Sequence, residues 1–229
     1  MRRIPALIAT AALVGPALSA RPAIAQDPVA ASPGAYKIEL DNQWVRVLRL
    51  KLAPGETTST HVHQNVVAVL LTDVRVTVTN ADGTTQQINR RAGEVLYQPG
   101  MPAHGEQNMS DQPLEAVLVE LKPGAAGDSA PVTLDPVTLD PDHHPVLIDN
   151  PRVRVIRTIL EPRLKSPMHE HPHYVVVYLT ELHTTMKMAD GREVDNPRKP
   201  GEVAWRDALK HETENIGAKT AVEIQIEIK

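Results

Sequence analysis

The chain has 229 residues, with 24 lysines and arginines against 28 acidic residues, and it contains no cysteine or phenylalanine. This length is sufficient for two small domains with separate cores. The acidic balance argues against a nucleic-acid or anionic-membrane partner. The absence of cysteine excludes disulfides, a thiol nucleophile and sulfur ligation of a metal.

Residues 1–25 have the composition of a signal peptide. Arg2-Arg3 precedes an apolar run from Ile4 to Ala20, and small residues follow up to Ala25, where we predict cleavage. Prolines and a glycine interrupt the run, which argues against a membrane anchor. Removing the segment loses three arginines and no acid, so the formal net charge falls from −4 to −7. The sequence therefore predicts a periplasmic or secreted mature protein.

Residues 26–35 are rich in proline and alanine and predict an N-terminal arm, followed by a first domain over 36–122. Alternation of apolar and polar residues between turn residues predicts β-strands, and no segment has a helical period. The predicted strands are Tyr36–Leu40, Trp44–Leu52, His61–Leu71, Val74–Thr79, Thr84–Ile88, Gly93–Tyr97 and Leu114–Lys122.

Residues 123–141 predict a linker, because they carry Gly124, Gly127 and Ser129 and then the five-residue unit Pro-Val-Thr-Leu-Asp twice. The Val-Thr-Leu pieces could also add edge strands. A second domain is predicted over 142–229, and the chain as a whole is predicted to be all-β. The strands predicted in this domain are Val153–Thr158, His169–Leu179, Thr184–Met188, Val203–Trp205 and Ala221–Lys229.

The two predicted domains repeat each other. His61 and His63 recur as His169 and His171, 108 residues later. The spacing becomes 107 at the third histidine, His104 and its counterpart, and stays so to the end of the chain. Self-similarity over this length indicates a duplicated domain.

The spacing of the histidines is that of metal ligands. Alternate residues of a strand share one face, so His61 and His63 can converge on one point. The segments from Gly55 and from Gly93 resemble the two motifs of the cupin superfamily, G-x5-H-x-H-x3,4-E-x6-G and G-x5-P-x-G-x2-H-x3-N. The resemblance implies two antiparallel, jelly-roll-like cupin barrels in tandem, a bicupin, packed together or exchanging edge strands. The metal ligands that it implies are His61, His63, His104, His169, His171 and His211.

One departure from the motif concerns the acid expected four or five residues after the second histidine. Val67-Ala68 and Val175-Val176 stand there instead, which predicts two sites of three neutral imidazoles. Such a site suits a divalent transition metal, with Fe(II) favoured and Ni, Cu, Zn or Mn as alternatives. Because the second repeat departs further from both motifs, we expect the first to be the better metal site.

Three-histidine cupins imply oxygen-dependent chemistry. We therefore predict an exported metal-dependent dioxygenase that acts on a small anionic organic molecule. The mature protein is not expected to bind a membrane once the signal peptide is removed, and it could form homo-oligomers. The alternatives are a non-catalytic bicupin that binds a small molecule or metal, and a cupin lyase or isomerase. Tyr97 is the candidate catalytic acid or base. Other pocket candidates are Gln64, Tyr174, Trp205 and Lys210; His173 is predicted at a rim, and His143, His144 and His183 in solvent.

Overall fold

The computed structural model describes residues 26–124 and 132–229, so the predicted signal segment lies outside the described residues. Within these ranges, no helix is long and apolar enough to cross a membrane. The fold is almost entirely β-structure, in antiparallel sheets, as the sequence predicts.

The first repeat forms one seven-stranded sheet in the order β1-β2-β7-β3-β6-β4-β5. The 14-residue β6 joins the two parts of this sheet, because residues 95–104 pair with β3 and residues 104–108 pair with β4. The sequence predicts this strand only over Gly93–Tyr97. The strands are β1 (Tyr36–Asp41), β2 (Val45–Leu52), β3 (His61–Leu70), β4 (Val74–Asn80), β5 (Thr85–Arg90), β6 (Val95–Asn108) and β7 (Leu114–Leu121).

The second repeat has the same strand order, divided between two sheets of order β8-β9-β16-β11-β14 and β10-β15-β12-β13. The predicted strand His169–Leu179 is interrupted at Pro172-His173, and the counterpart of β6 is interrupted at Asp207-Ala208. Every sheet of the described chain contains strands of one repeat only, so these sheets exchange no edge strand. The strands are β8 (Val146–Asp149), β9 (Val153–Leu160), β10 (Lys165–His171), β11 (Tyr174–Tyr178), β12 (Leu182–Met188), β13 (Glu193–Arg198), β14 (Val203–Arg206), β15 (Leu209–Asn215) and β16 (Ala221–Ile228).

The largest apolar cluster lies between the repeats and contains residues of both. On β2, Val45 and Val47 belong to this interface cluster, whereas Leu48, Leu50 and Leu52 belong to the interior of the first barrel. Because successive side chains of a strand face opposite sides, β2 contributes apolar side chains to both clusters. The repeats are therefore packed together through a core of their own.

The contacts across this interface are reciprocal. The Arg49 Nη2 group donates to the carbonyl of Gly201 at 2.6 Å, and Arg157 Nη2 donates to the carbonyl of Gly93 at 2.6 Å. These two pairs correspond at the repeat spacing of 108 residues. Self-complementary contacts of this kind are the mark of a twofold arrangement. The duplicated halves thus pack as the two subunits of a symmetric dimer would.

Each repeat begins with a short helix that the sequence did not predict: α1 (Pro28–Ala31) lies in the predicted arm and α2 (Pro136–Leu139) in the predicted linker. The acids before them, Asp27 and Asp135, cap these helices. The same carboxylates pair with Arg46 at 2.5 Å and Arg154 at 2.9 Å on the barrels. The arm and the end of the linker are consequently packed against their repeats.

Candidate metal centres

The first centre is formed where β3 pairs with β6, which places His61 directly opposite His104. The Nδ1 atoms of these two histidines lie 2.8 Å from the Ser59 carbonyl and 2.7 Å from the Pro102 carbonyl. A carbonyl only accepts, so Nδ1 carries the proton in each ring and Nε2 offers a lone pair. His63 is oriented the same way by Glu120, whose Oε1 lies 2.8 Å from Nδ1. This orientation of imidazoles is typical of metal ligands.

Glu106 is a fourth ligand candidate at the first centre, which corrects the prediction of three neutral imidazoles. Its carboxylate lies 3.2 Å from His104 Nε2 and 3.6 Å from His61 Nε2, and one ligand atom from each of the four residues falls within 4.8 Å of the others. Burial alone would raise the pKa of Glu106, but the contacts with His104 and His61 and the hydrogen bond from Thr58 Oγ1 lower it to about 2. The carboxylate is therefore ionised.

The spacing of Glu106 from His104 indicated this ligand in the sequence, but the cupin motif directs attention to a different strand. The cupin motif places its acid on the strand of the first two histidines. In this chain the acid stands on β6, two residues after His104, and period-two alternation brings both side chains to one face. The His-Gly-Glu spacing is thus equivalent to the His-Val-His spacing on β3.

Tyr36 is the tyrosine at the first centre, and Tyr97 is not. The Tyr36 hydroxyl lies 3.0 Å from His61 Nε2 and donates to Glu106 Oε2 at 3.4 Å. Burial and the Glu106 charge raise the pKa of Tyr36, so its proton is retained. Tyr97 is on β6 but packs against the interface cluster between the repeats. Its position does not support the predicted role as a catalytic acid or base.

The second centre brings together His169, His171 and His211. Their Nδ1 atoms contact the Pro167 carbonyl at 2.7 Å, Glu227 at 2.8 Å and the Thr213 hydroxyl at 3.0 Å. Burial lowers the pKa of all three imidazoles, which keeps them neutral. The lone pairs of their Nε2 atoms are then available to a cation.

The buried Nε2 atoms of His171 and His211 have no hydrogen-bond partner among the described residues. An unpaired buried nitrogen is costly, and a metal ion would satisfy both atoms at once. Nitrogen and oxygen ligands lie 2.0–2.2 Å from a zinc ion, so the donors of one coordination sphere lie within about 4.4 Å of each other. Clusters within 4.8 Å fit that requirement with a small adjustment. The donor atoms of both centres therefore fit a divalent metal ion.

A carboxylate on the last strand of each repeat orients the second histidine of its centre. Glu120 pairs with Arg46 at 2.6 Å, and Glu227 pairs with Arg154 at 2.6 Å. Burial raises the pKa of Glu227 against the opposing effect of Arg154. Such carboxylate–histidine pairs fix the tautomer and raise ligand basicity. Sequence reasoning missed both, because they lie more than fifty residues from their histidines.

The centres differ at two equivalent positions. Thr213 stands in the second repeat where Glu106 stands in the first, and His144 stands where Tyr36 does. His144 was predicted in solvent but is 1% exposed, with its ring centroid 5.5 Å from that of His169. Its backbone precedes β8, the counterpart of β1, so the side chain enters the barrel as that of Tyr36 does. The second centre is therefore richer in imidazole and poorer in carboxylate.

Each centre opens onto a chamber inside its barrel. The first chamber has a volume of about 140 Å³, and His63 and Glu106 stand at one end of a wall that is mainly leucine and valine. The second has a volume of about 20 Å³ and is lined largely by polar side chains, with His144, His169 and His211 among them. The two chambers therefore differ in both size and polarity.

The architecture of the chain is similar to that of solved structures. The chain matches an oxalate decarboxylase from Bacillus subtilis with a TM-score of 0.56 and 16% identity, over 80% of this chain and 68% of that one. Salicylate 1,2-dioxygenase from Pseudoaminobacter salicylatoxidans matches with a TM-score of 0.53 and 13% identity, over 80% and 68%. The chain belongs to the cupin superfamily. This bicupin also matches a cupin domain from Bordetella pertussis, with 30% identity and a TM-score of 0.36, over 38% of this chain and 91% of that one. No protein-family model and no curated protein matches it.

The remaining candidates of the bicupin lie mostly away from the metal centres. Trp205 stacks on Trp44 of the other repeat at 5.0 Å, and His173 lies 4.4 Å from Trp44, between the barrels and not at a free rim. Only Tyr174 reaches a centre, with its ring 4.7 Å from that of His171. Gln64 and His183 are exposed, His143 pairs with Asp140, and Lys210 pairs with Glu170.

Proposed function

We propose that this bicupin is an exported metal-dependent oxygenase that acts on a small anionic organic molecule at the first centre. The observation that carries the proposal is the position of the His61, His63, His104 and Glu106 cluster at the end of an apolar chamber. Export is inferred from residues 1–25. Fe(II) is the favoured metal, because three imidazoles and one carboxylate suit first-row divalent ions.

The chamber favours a substrate with one aromatic or compact aliphatic body. An apolar cavity of about 150 Å³ accepts a benzene ring, and the chamber of about 140 Å³ is of that size. Leu50, Val66 and Leu118 are among the residues that would hold such a body and exclude water. An acidic group of the same molecule would face the cluster. The structural likeness to salicylate 1,2-dioxygenase, described with gentisate, supports an aromatic acid as the substrate class.

The residues around the cluster have different roles in the proposed reaction. A bound metal ion would supply Lewis acidity and open positions for a substrate anion. Glu120 holds His63 in the ligating tautomer. The Tyr36 hydroxyl, which retains its proton, can donate a hydrogen bond to a substrate oxygen beside His61. A tyrosine in this position serves to orient the substrate and to keep a proton available.

A lyase is the second candidate, and Glu106 favours it. The sequence made a lyase the weaker alternative because it predicted no acid beside the three histidines, and Glu106 supplies one. The likeness to oxalate decarboxylase supports the same alternative. The apolar wall opposes a substrate as hydrophilic as oxalate.

Oxygen uptake and carbon dioxide release distinguish these candidates. Iron-loaded wild type is incubated with salicylate, gentisate or oxalate, beside His61→Ala and His169→Ala. The oxygenase proposal expects oxygen uptake with an aromatic acid, lost in His61→Ala and kept in His169→Ala. Carbon dioxide release without oxygen uptake would support the lyase. Neither activity with any metal would leave the non-catalytic binding alternative.

A further inference from the structure

The walls of the two chambers differ at equivalent positions. Apart from the metal ligands, most side chains that line the first chamber are apolar, and several of their counterparts in the second are polar. The repeat spacing aligns these residues directly. The replacements are Leu50 by Thr158, Ile88 by Asn196, Ala116 by Glu223 and Leu118 by Gln225. The second chamber is therefore a hydrophilic version of the first.

Besides the two imidazole nitrogens, three side-chain oxygens that line the second chamber are buried and unpaired. Thr158 Oγ1, Ser166 Oγ and Gln225 Oε1 have no hydrogen-bond partner among the described residues, and all three residues line the chamber. Each residue is at most 3% exposed. Buried polar groups are almost always paired, so unpaired atoms around one space indicate a hydrogen-bonding occupant. Thr158 and Gln225 stand where the first repeat has Leu50 and Leu118, whereas Ser166 stands where it has Thr58.

The charge of the second chamber favours an anion. Arg206 lines it and donates to Asn196 Oδ1 at 3.0 Å and to the Tyr178 hydroxyl at 3.4 Å. The ion pairs of the described residues include none to Arg206. The three histidines are neutral, and burial raises the pKa of Glu223, which favours its uncharged form. The guanidinium therefore remains available to an oxyanion.

The size of the second chamber limits this anion to a few atoms. Its volume of about 20 Å³ exceeds the roughly 10–15 Å³ that one water needs. His144 donates from Nδ1 to the Asp140 carbonyl at 3.0 Å, which leaves Nε2 as an acceptor inside the chamber. A benzene-sized body, which fits the first chamber, does not fit here.

We propose that the second barrel is a separate binding site for a small hydrophilic carboxylate of formate size, held between the His169, His171 and His211 cluster and Arg206. The unpaired hydroxyls of Thr158 and Ser166 line the same space, and each can donate a hydrogen bond to the anion. The two barrels of one chain thus bind ligands of different class. This inference does not depend on the reaction proposed for the first centre.

Formate binding to the metal-loaded chain tests the proposal. Calorimetric titrations use the His61→Ala background, which removes a ligand of the first centre, with benzoate as the larger and apolar comparison. One formate per chain and no benzoate are expected. Arg206→Gln should weaken formate binding at least tenfold, because a guanidinium–carboxylate contact is lost. Arg192→Gln removes the same charge from an exposed hairpin arginine and should have no effect.

A second variant tests the proposal independently, in case Arg206→Gln does not fold. Thr158→Leu combined with Gln225→Leu places in the second chamber the residues that the first barrel already accommodates. Formate binding should be lost while the unfolding temperature and the metal content remain near those of the parent. The proposal is overturned if the parent does not bind formate, if both chamber variants bind it as tightly as the parent, or if His169→Ala still binds it.

Discussion

Glu106 and Thr213 occupy equivalent positions, each two residues after the third histidine of its repeat, yet only Glu106 places a carboxylate beside the imidazoles. The first centre therefore offers one negative charge to a divalent cation and the second offers none. Because hard cations prefer carboxylate ligands, this single difference separates the centres in affinity and in metal preference.

We expect Glu106→Gln to weaken metal retention at the first centre at least tenfold, and Thr213→Glu to strengthen it at the second. The reason is the charge that each change removes or adds within reach of three imidazoles. Metal content per chain after dialysis against graded chelator measures both effects. Glu181→Gln, at an exposed ion pair with Lys219, is the control. Equal retention by Glu106→Gln and the control would exclude Glu106 as a ligand.

Glu120 and Glu227, which orient the second histidine of each centre, should affect metal affinity almost as much as the ligands do. Glu120→Gln and Glu227→Gln each leave an amide where the second histidine of a centre had an anionic acceptor. Loss of such a partner typically lowers metal affinity 10- to 100-fold. Each change should affect its own centre only, which His61→Ala and His169→Ala backgrounds can resolve. Loss from both centres together would instead indicate damage to the shared interface.

The sequence predicted which histidines come together more completely than it predicted the residues and strands that surround them. The spacing of His61, His63 and His104 was sufficient, because strand alternation is a local rule. Glu120 and Glu227 could not be predicted, since the pairing of their strands with the histidine strands is set by the closure of the barrel. The position of Tyr97 at the interface cluster could not be predicted, because alternation does not say which face of a doubly buried strand meets the second repeat.

The second repeat was less predictable because its strands break. Pro172 follows His171 directly and cannot donate to a strand ladder, so β10 and β11 separate there. The predicted solvent exposure of His144 failed for another reason. The sequence around it reads as linker, whereas in the structure the carbonyls of His143 and Pro145 accept hydrogen bonds from β9 and attach that segment to the barrel.

The reciprocal arginines should stabilise the packing of the two repeats. Arg157→Ala removes the donor to the partly buried Gly93 carbonyl, and we expect a loss of about 1 kcal/mol, the typical net contribution of one hydrogen bond. Arg192→Ala, at an exposed hairpin, should change stability by less than about 0.5 kcal/mol. Chemical denaturation measures both free energies of unfolding. Equal values for the two variants would show that the contact contributes nothing measurable to the interface.

Glu223 should make stability depend on pH in a direction opposite to that of an ion-paired acid. Burial raises its pKa in the folded chain above the ordinary value of 4.5, whereas the unfolded chain ionises at that value. The folded state thus binds more protons, and stability is lost as pH rises from the unfolded pKa through the folded one. Glu223→Gln keeps the acceptor for Gln225 Nε2, which donates to Glu223 at 2.8 Å. The variant should match the wild type near pH 4 and have the higher unfolding temperature at pH 7–8. An unchanged difference across that range would mean that Glu223 is ionised in the folded protein, and that the second chamber carries a negative charge beside Arg206.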